Sequence, residues 1–277
     1  MNLSRPSTRP WALVTGASAG IGAEFARQLA ARGYSLVLVA RRAERLHELA
    51  RELAQSRGAD THVVALDLAD PTAAARLFAD TEAAGIAVEM LVNNAGYGLP
   101  GHLTSQPWQA HRDFIEVLVA GPVELCWRYL PGMKARGRGH VINVASLAGL
   151  VPGSAGHTLY GASKSWLIKF SQSLALENAP HGVKVSALCP GFTYSEFHDV
   201  NGARSIVSKM PTYMWMQAAP VVEAGIEAVL RGDVVCVPGR VNRFIKFLMK
   251  HLPDGLALRL TARRSKEFRV QDGPSAG

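Results

Sequence analysis

Short apolar runs alternate along this chain with longer stretches of helical spacing, and that alternation restricts the fold more than any other feature. The runs are WALVTGA at 11–17, SLVLVA at 35–40, HVVALDL at 62–68, EMLVNNAG at 89–96, HVINVA at 140–145, residues 183–191 and VVCVPG at 234–239. Between them, EFARQLAARG at 24–33, a charged stretch from Ala43 to Arg57 and another from Pro71 to Ala84 carry apolar residues three and four apart. Such spacing lines one face of a helix. Longer helical stretches span 107–134 and 158–178. Nearly continuous apolar strands separated by amphipathic helices predict a parallel sheet covered on both faces, an α/β fold. No repeat or linker interrupts residues 10–240, which read as one domain. Residues 1–9 read as a flexible N-terminus, 241–265 as a basic amphipathic helical extension and 266–277 as a loose tail.

Composition narrows the class. A chain that is 48% hydrophobic and 19% charged suits a soluble globular domain, and no apolar run approaches the roughly 20 residues of a membrane span. The opening MNLSRPSTRP lacks the apolar core of a secretory signal. Cys126, Cys189 and Cys236 are odd in number and set in apolar surroundings, so they read as reduced core thiols of a cytoplasmic protein, not as disulfides or metal ligands. The formal charge of +8 is partly clustered, in RRAER at 41–45 and RLTARRSK at 259–266.

Two motifs carry chemistry. TGASAGIG at 15–22 places Gly16, Gly20 and Gly22 between the first strand and the first helix. Glycines there let the backbone approach a pyrophosphate, and a helix N-terminus offers free N–H groups and a positive dipole end. Farther on, NVASLAGLVPGSAGHTLYGASK at 143–164 holds Ser146, Tyr160 and Lys164. A Tyr and a Lys four residues apart stack on one helix face. Tyrosine titrates near pH ~10, and lowering it by about three units requires ~4 kcal/mol, within reach of a partly desolvated ammonium nearby. Ser146 closes an apolar strand, where its hydroxyl can hold a carbonyl or alcohol oxygen while Tyr160 passes it a proton.

Taken together, TGASAGIG at 15–22, Asp67 after the third strand, NNAG at 93–96, Ser146, YGASK at 160–164 and CPG at 189–191 resemble the short-chain dehydrogenase/reductase family in order and spacing, over roughly residues 10–240. The resemblance implies a Rossmann-type, doubly wound seven-stranded parallel sheet of order 3-2-1-4-5-6-7, with a nicotinamide cofactor along its carboxyl edge. It implies Tyr160 as acid/base, Lys164 as the group that lowers its pKa and binds the nicotinamide ribose, and Ser146 as the orienter of the substrate oxygen. Cofactor contacts would come from Gly16, Ser18, Ala19, Gly20, Ile21, Gly22, Asp67, Leu68, Asn94, Ala95, Gly96, Pro190, Gly191 and Thr193. The resemblance also implies a homo-dimer or homo-tetramer built through the helices at 107–134 and 158–178.

Strand two ends VARRAER, with Arg41 and Arg42 where an acidic residue would hold an NAD ribose. Guanidinium pairs well with phosphate, which favours NADP(H) over NAD(H); Arg42 is the readier of the two to act as a mere solvating residue at the start of helix two. The chain departs from the family at Leu118, where an asparagine usually supports a water in the proton relay. Either a backbone carbonyl or another polar group holds that water here, or reduction is impaired. Residues 192–220 form a stretch long enough for a lid, rich in Phe192, Phe197, Met210, Tyr213, Met214, Trp215 and Met216, suited to an apolar substrate, to core packing or to a subunit contact. In the C-terminal extension Phe244, Phe247, Leu248 and Leu252 recur at helical spacing between basic residues. A helix docked on the domain is preferred there over peripheral contact with an anionic membrane, and nothing points to nucleic acid. The expectation is an NADP(H)-dependent oxidoreductase interconverting an apolar ketone or aldehyde and its alcohol; the alternative is a cofactor-sensing binding protein with little turnover.

Overall fold

The computed structural model describes residues 9–99, 101–194 and 211–265. Seven strands form one parallel sheet: β1 (Trp11–Thr15), β2 (Ser35–Ala40), β3 (Thr61–Ala65), β4 (Val88–Asn93), β5 (Gly139–Val144), β6 (Val183–Leu188) and β7 (Val235–Cys236), in the order β3-β2-β1-β4-β5-β6-β7. Side-chain alternation along each strand sorts the core into two layers. Ala12 and Val14 of β1 pack with Leu36, Leu38, Met90 and Val92 against α1 (Gly20–Ala31), α2 (Ala43–Arg57) and a later helix at Ala218–Arg231. Leu13, Val37, Val39 and Leu91 point the other way, against α3 (Ala73–Ala83), α4 (Trp108–Ile115), α5 (Gly121–Ala135) and α6 (Thr158–Asn178). The strand order reverses between β1 and β4, and it is at such a switch point that open α/β sheets bind ligands, beyond the carboxyl ends of the strands.

The structure differs from the sequence expectation in two places that bear on function. The stretch 107–134 is not one regular helix. α4 runs into a π turn at Glu116–Ala120 before α5 begins, and Pro122 at the start of α5 supplies the reason. It has no N–H for the carbonyl of Leu118 four residues earlier, and the Gly121 N–H bonds instead to the Glu116 carbonyl five residues back. The C-terminal extension is likewise two helices. Numbered after α7 (Ala218–Arg231), they are α8 (Arg240–His251) and α9 (Asp254–Ser265). Pro253 forces Leu252 into extended backbone and ends the first. The docking of α8 is narrow, since Asn242 is its one buried residue while Phe244 and Phe247 are 63% and 60% exposed.

Arg9, at the end of the expected flexible segment, donates to the Arg57 carbonyl at 3.2 Å. The rest of that segment, the tail at 266–277, and Phe197 and Met210 of the lid stretch lie outside the described residues. Among the described residues no helix is long and apolar enough to cross a membrane.

Buried titrating groups give the fold a definite alkaline response. Burial pushes the Cys126 and Cys189 thiols up to about 12 and brings the Lys164 ammonium down to about 8. Above the ordinary thiol value of ~8.5 the unfolded chain loses the Cys126 and Cys189 protons that the folded chain keeps, and Cys236, also raised by burial, adds to the difference, so stability falls. Between about 8 and 10.5 the unfolded chain also keeps a Lys164 proton that the folded chain releases, which offsets one of the two. The thermal midpoint is expected to drop by at least about 3 °C from pH 9 to pH 10, a net slope of at least about 1.4 kcal/mol per pH unit. Cys126→Ala should flatten that drop; a midpoint indifferent to pH over this range in the native chain refutes the assignment.

Candidate active site

The turn after β1 admits no side chain at Gly16 or Gly22. Gly16 (φ 67°) and Gly20 (φ 54°) adopt left-handed backbone, which favours glycine. A Cβ on Gly16 would lie 2.9 Å from Asn94 Nδ2, and one on Gly22 would lie 2.2 Å from the Gly16 carbonyl oxygen. Thr15 fastens this turn to the end of β4. Its Oγ1 accepts the N–H groups of Asn94 (2.9 Å) and Ala95 (3.0 Å), and Asn94 Nδ2 donates to the Thr15 carbonyl at 2.8 Å. Ala19 stands at the N-cap of α1 and brings no side-chain cap, so no capping oxygen competes for the first-turn N–H groups from Gly20 to Gly22. Ile21 packs inward on the core layer beside it.

Beside this turn lie the two arginines. The Arg42 guanidinium donates to Ser18 Oγ from Nη2 at 3.0 Å and from Nε at 3.3 Å. Arg41 Nη1 stands 3.9 Å from Asp67 Oδ2. Asp67 is held by the Ala69 N–H at 3.0 Å, with Leu68 buried after it. Arg42 thus reaches the glycine-rich turn and not only the start of α2.

The second motif assembles around β5 and α6. Ser146 Oγ accepts the Ala148 N–H at 3.1 Å and caps a single 3₁₀ turn, Leu147–Gly149. That turn lies directly on α6, since a Cβ at Gly149 would come 2.6 Å from the backbone carbon of Lys164. The contact brings Ser146 beside Tyr160, where its hydroxyl favours the phenolate. One helical turn on, buried Lys164 donates from Nζ to the Val144 carbonyl at 2.8 Å and stands 5.7 Å from the Tyr160 ring centre. Burial pushes the Tyr160 phenol above its ordinary value, with the Ser146 hydroxyl pulling the other way. The expected depression by Lys164 does not appear, because desolvation sets the direction.

Gly96 lies between the two motifs. A Cβ there would sit 3.6 Å from Leu118 Cγ and 3.8 Å from Lys164 Nζ, so Leu118, itself in the core, packs beside the ammonium. The Pro190 carbonyl accepts the Leu147 N–H at 2.8 Å, and Thr193 Oγ1 donates to the Gly191 carbonyl at 3.2 Å. Gly191 is pressed against α8, where a Cβ would lie 2.4 Å from Asn242 Oδ1.

Several supporting residues escaped the sequence reading. Asn93 Nδ2 donates to Asn143 Oδ1 at 2.8 Å, Asn143 Nδ2 to Ser171 Oγ at 2.9 Å, and Ser171 Oγ to the Leu167 carbonyl at 2.7 Å. This buried chain ties β4, β5 and α6 together behind Ser146 and Lys164. Polar residues inside apolar strand runs were its only sequence signal; Thr15, Gly149 and Asn242 gave none.

Residues 10–204 match the family model described as short chain dehydrogenase. An uncharacterized oxidoreductase of Myxococcus xanthus is 36% identical over 255 residues, covering 90% of this chain and 96% of that one. A 7beta-hydroxysteroid dehydrogenase of Collinsella aerofaciens is 35% identical over 193 residues, 70% of this chain and 72% of that one. The structure of a short-chain dehydrogenase from Sphingobium yanoikuyae in complex with NADPH superposes with a TM-score of 0.77 at 29% identity, covering 88% of this chain and 96% of the other. This chain belongs to the short-chain dehydrogenase/reductase family of oxidoreductases, which act on CH–OH groups with a nicotinamide cofactor. Its residues fit that cofactor: Gly16 and Gly22 leave no room for a Cβ, and the N-terminus of α1 is without a side-chain cap, as a pyrophosphate requires.

Proposed function

We propose that this protein is an NADP(H)-dependent reductase of apolar ketones or aldehydes, acting through Ser146, Tyr160 and Lys164. The observation that carries the reading is Ser146, at the turn pressed onto α6, set beside Tyr160 with the buried Lys164 ammonium one helical turn away on the Val144 carbonyl. The cofactor, when bound, supplies the hydride for the carbonyl carbon. Tyr160 gives its proton to the carbonyl oxygen, and Ser146 orients that oxygen by donating its own hydroxyl hydrogen. A phenol held above its ordinary value is protonated at neutral pH, which suits an acid and hence the reducing direction. Lys164 then stabilises the phenolate left behind.

The Leu118 departure has a structural answer under this reading. Pro122 leaves the Leu118 carbonyl without its α-helical donor, in a π turn whose Leu118 side chain packs near Lys164, which supports a backbone carbonyl in place of an asparagine side chain in the relay. NADPH is favoured by Arg41 and Arg42 at the adenosine end and by the NADPH-bound relative. Exposed Trp127 and Trp166 on α5 and α6 support assembly through those helices.

The direct test is NADPH oxidation by the purified protein against apolar ketones and polar carbonyl compounds of matched size. The expected result is kcat/KM at least about tenfold higher for the apolar set, the scale of burying a few extra methylenes. No oxidation with any carbonyl compound refutes the reductase reading.

A further inference from the structure

Large apolar side chains are left in solvent unevenly. Among the described residues fifteen are exposed, and seven of them lie in α8 and α9, helices of only 12 residues each. Val241, Phe244 and Leu248 recur at steps of three and four along α8 and form one row on its outer side. That row continues onto its neighbours, because the same three residues border a cavity of about 820 Å³ together with Leu260 of α9 and Tyr213 of the turn at Thr212–Met214. In a second outward row Phe247 stands between Arg243 and Lys250. The inward row is Asn242, Ile245 and Met249, of which only Asn242 is fully buried. Asn242 holds the helix in place. Its Nδ2 donates to the Pro238 carbonyl at 2.8 Å, and its side chain fills the space that a Cβ on Gly191 would need. The outward rows are therefore carried on a wall of the candidate active site.

Charge is distributed just as unevenly. Residues 240–265 hold seven Lys and Arg and one acid, Asp254, which is six of the chain's net +8. Elsewhere basic and acidic residues are nearly balanced, and pairs such as Arg27–Glu52 and Arg138–Glu89 form. An exposed apolar patch of this extent marks a surface that a partner covers. A second copy of the face would set cation against cation, and nucleic acid would answer the charge but leave Phe244 and Phe247 in water. An anionic bilayer answers both, since apolar side chains enter the headgroup boundary while the Lys and Arg beside them meet the lipid charge.

We infer that α8 and α9 form a docking surface for anionic lipid membranes, with Phe244 and Phe247 entering the headgroup region and Arg243 and Lys250 facing the lipid anions.

The test is cosedimentation of the full chain with vesicles of phosphatidylcholine alone and of phosphatidylcholine containing about one-third phosphatidylserine, at about 0.1 M salt. The native protein is expected to partition on the order of 10²-fold more strongly onto the anionic vesicles, since each Lys or Arg near such a surface contributes about fivefold. Raising the salt to about 0.5 M should remove most of that difference. Arg243→Gln with Lys250→Gln should weaken anionic-vesicle binding about tenfold or more, and Phe244→Ser with Phe247→Ser should do the same at an unchanged thermal midpoint. Arg51→Gln with Arg57→Gln removes the same charge from exposed positions on α2 and should weaken binding less than about threefold. Should the serine pair unfold the chain, the glutamine pair still decides, because it leaves the exposed aromatic rings in place. Binding to neither vesicle, equal binding to both, or an equal loss from the α2 pair overturns the inference. So does a dimer in sedimentation equilibrium that the serine pair splits into monomers, because a second copy then covers the face.

Discussion

Replacing Tyr160 with phenylalanine is expected to lower kcat by about 10³-fold while the dissociation constant for NADPH moves less than about threefold. The first number follows from what a positioned general acid contributes, ~10²–10⁴. The second follows from geometry, because the glycine-rich turn and its Thr15–Asn94 clamp lie on β1 and β4 and owe nothing to the Tyr160 hydroxyl. The substitution keeps the ring that packs against the core layer and removes only the hydroxyl oxygen. Single-turnover hydride transfer from pre-bound NADPH isolates the chemical step from product release. A variant that keeps more than a tenth of native kcat refutes Tyr160 as the acid. Should the native protein bind NADPH but turn over no carbonyl compound, and Tyr160→Phe change nothing, the cofactor-sensing reading takes its place.

How much of this was legible without coordinates depended on what kind of interaction was involved. The sheet and its order follow from apolar runs of strand length separated by amphipathic helices, because burial on both faces leaves no choice but continuous hydrophobicity. SLVLVA at 35–40 and the helix from Ala43 to Arg57 agree with the structure residue for residue. The motif residues were also legible, since glycines needed for close approach have no substitute: the 2.2 Å clearance at Gly22 is a requirement the sequence states directly. What stayed hidden was pairing between distant polar side chains. Asn93, Asn143 and Ser171 lie 50 and 28 residues apart along the chain, and nothing local announces that they meet. The π turn was hidden for a different reason. Pro122 was visible, but a proline at the start of a new helix and one that diverts a continuing helix look alike until the carbonyl it fails to serve is placed in space.

The balance at Tyr160 and Lys164 was readable only in part. Spacing along a helix predicts that the two side chains share a face, and they do. Spacing does not predict how dry the face is. Desolvation lowers the ammonium to about 8 and raises the phenol, so before any ligand binds both groups lean toward their neutral forms. Under the proposed reductase reading, the site would release a proton from Tyr160 only when a negative oxygen or a hydrogen-bonded partner arrives, tying proton transfer to substrate binding.

The second large effect is expected at the other end of the cofactor cleft. Arg41→Ala and Arg42→Ala should each weaken NADPH binding about tenfold or more, and the double change about 10²-fold, with NADH binding unchanged within about twofold. Each loss is the scale of a charge-assisted contact to a phosphate. The two arginines enter by different routes. Arg42 is already drawn to Ser18 at 3.0 Å, so its guanidinium is held against the glycine-rich turn before any phosphate binds. Arg41 is 69% exposed and only loosely paired with Asp67 at 3.9 Å, a separation at which a surface ion pair contributes little. A 2′-phosphate is expected to outcompete that carboxylate for Arg41, leaving Asp67, held by the Ala69 N–H, as a negative neighbour that sharpens the need for both arginines. Arg41→Asp should therefore reverse the preference, leaving NADH bound more tightly than NADPH. Fluorescence titration of the two cofactors against the native chain and these variants decides the matter, since equal native affinity for NADH and NADPH removes the phosphate role from both residues, while loss confined to one of them assigns it to that residue alone.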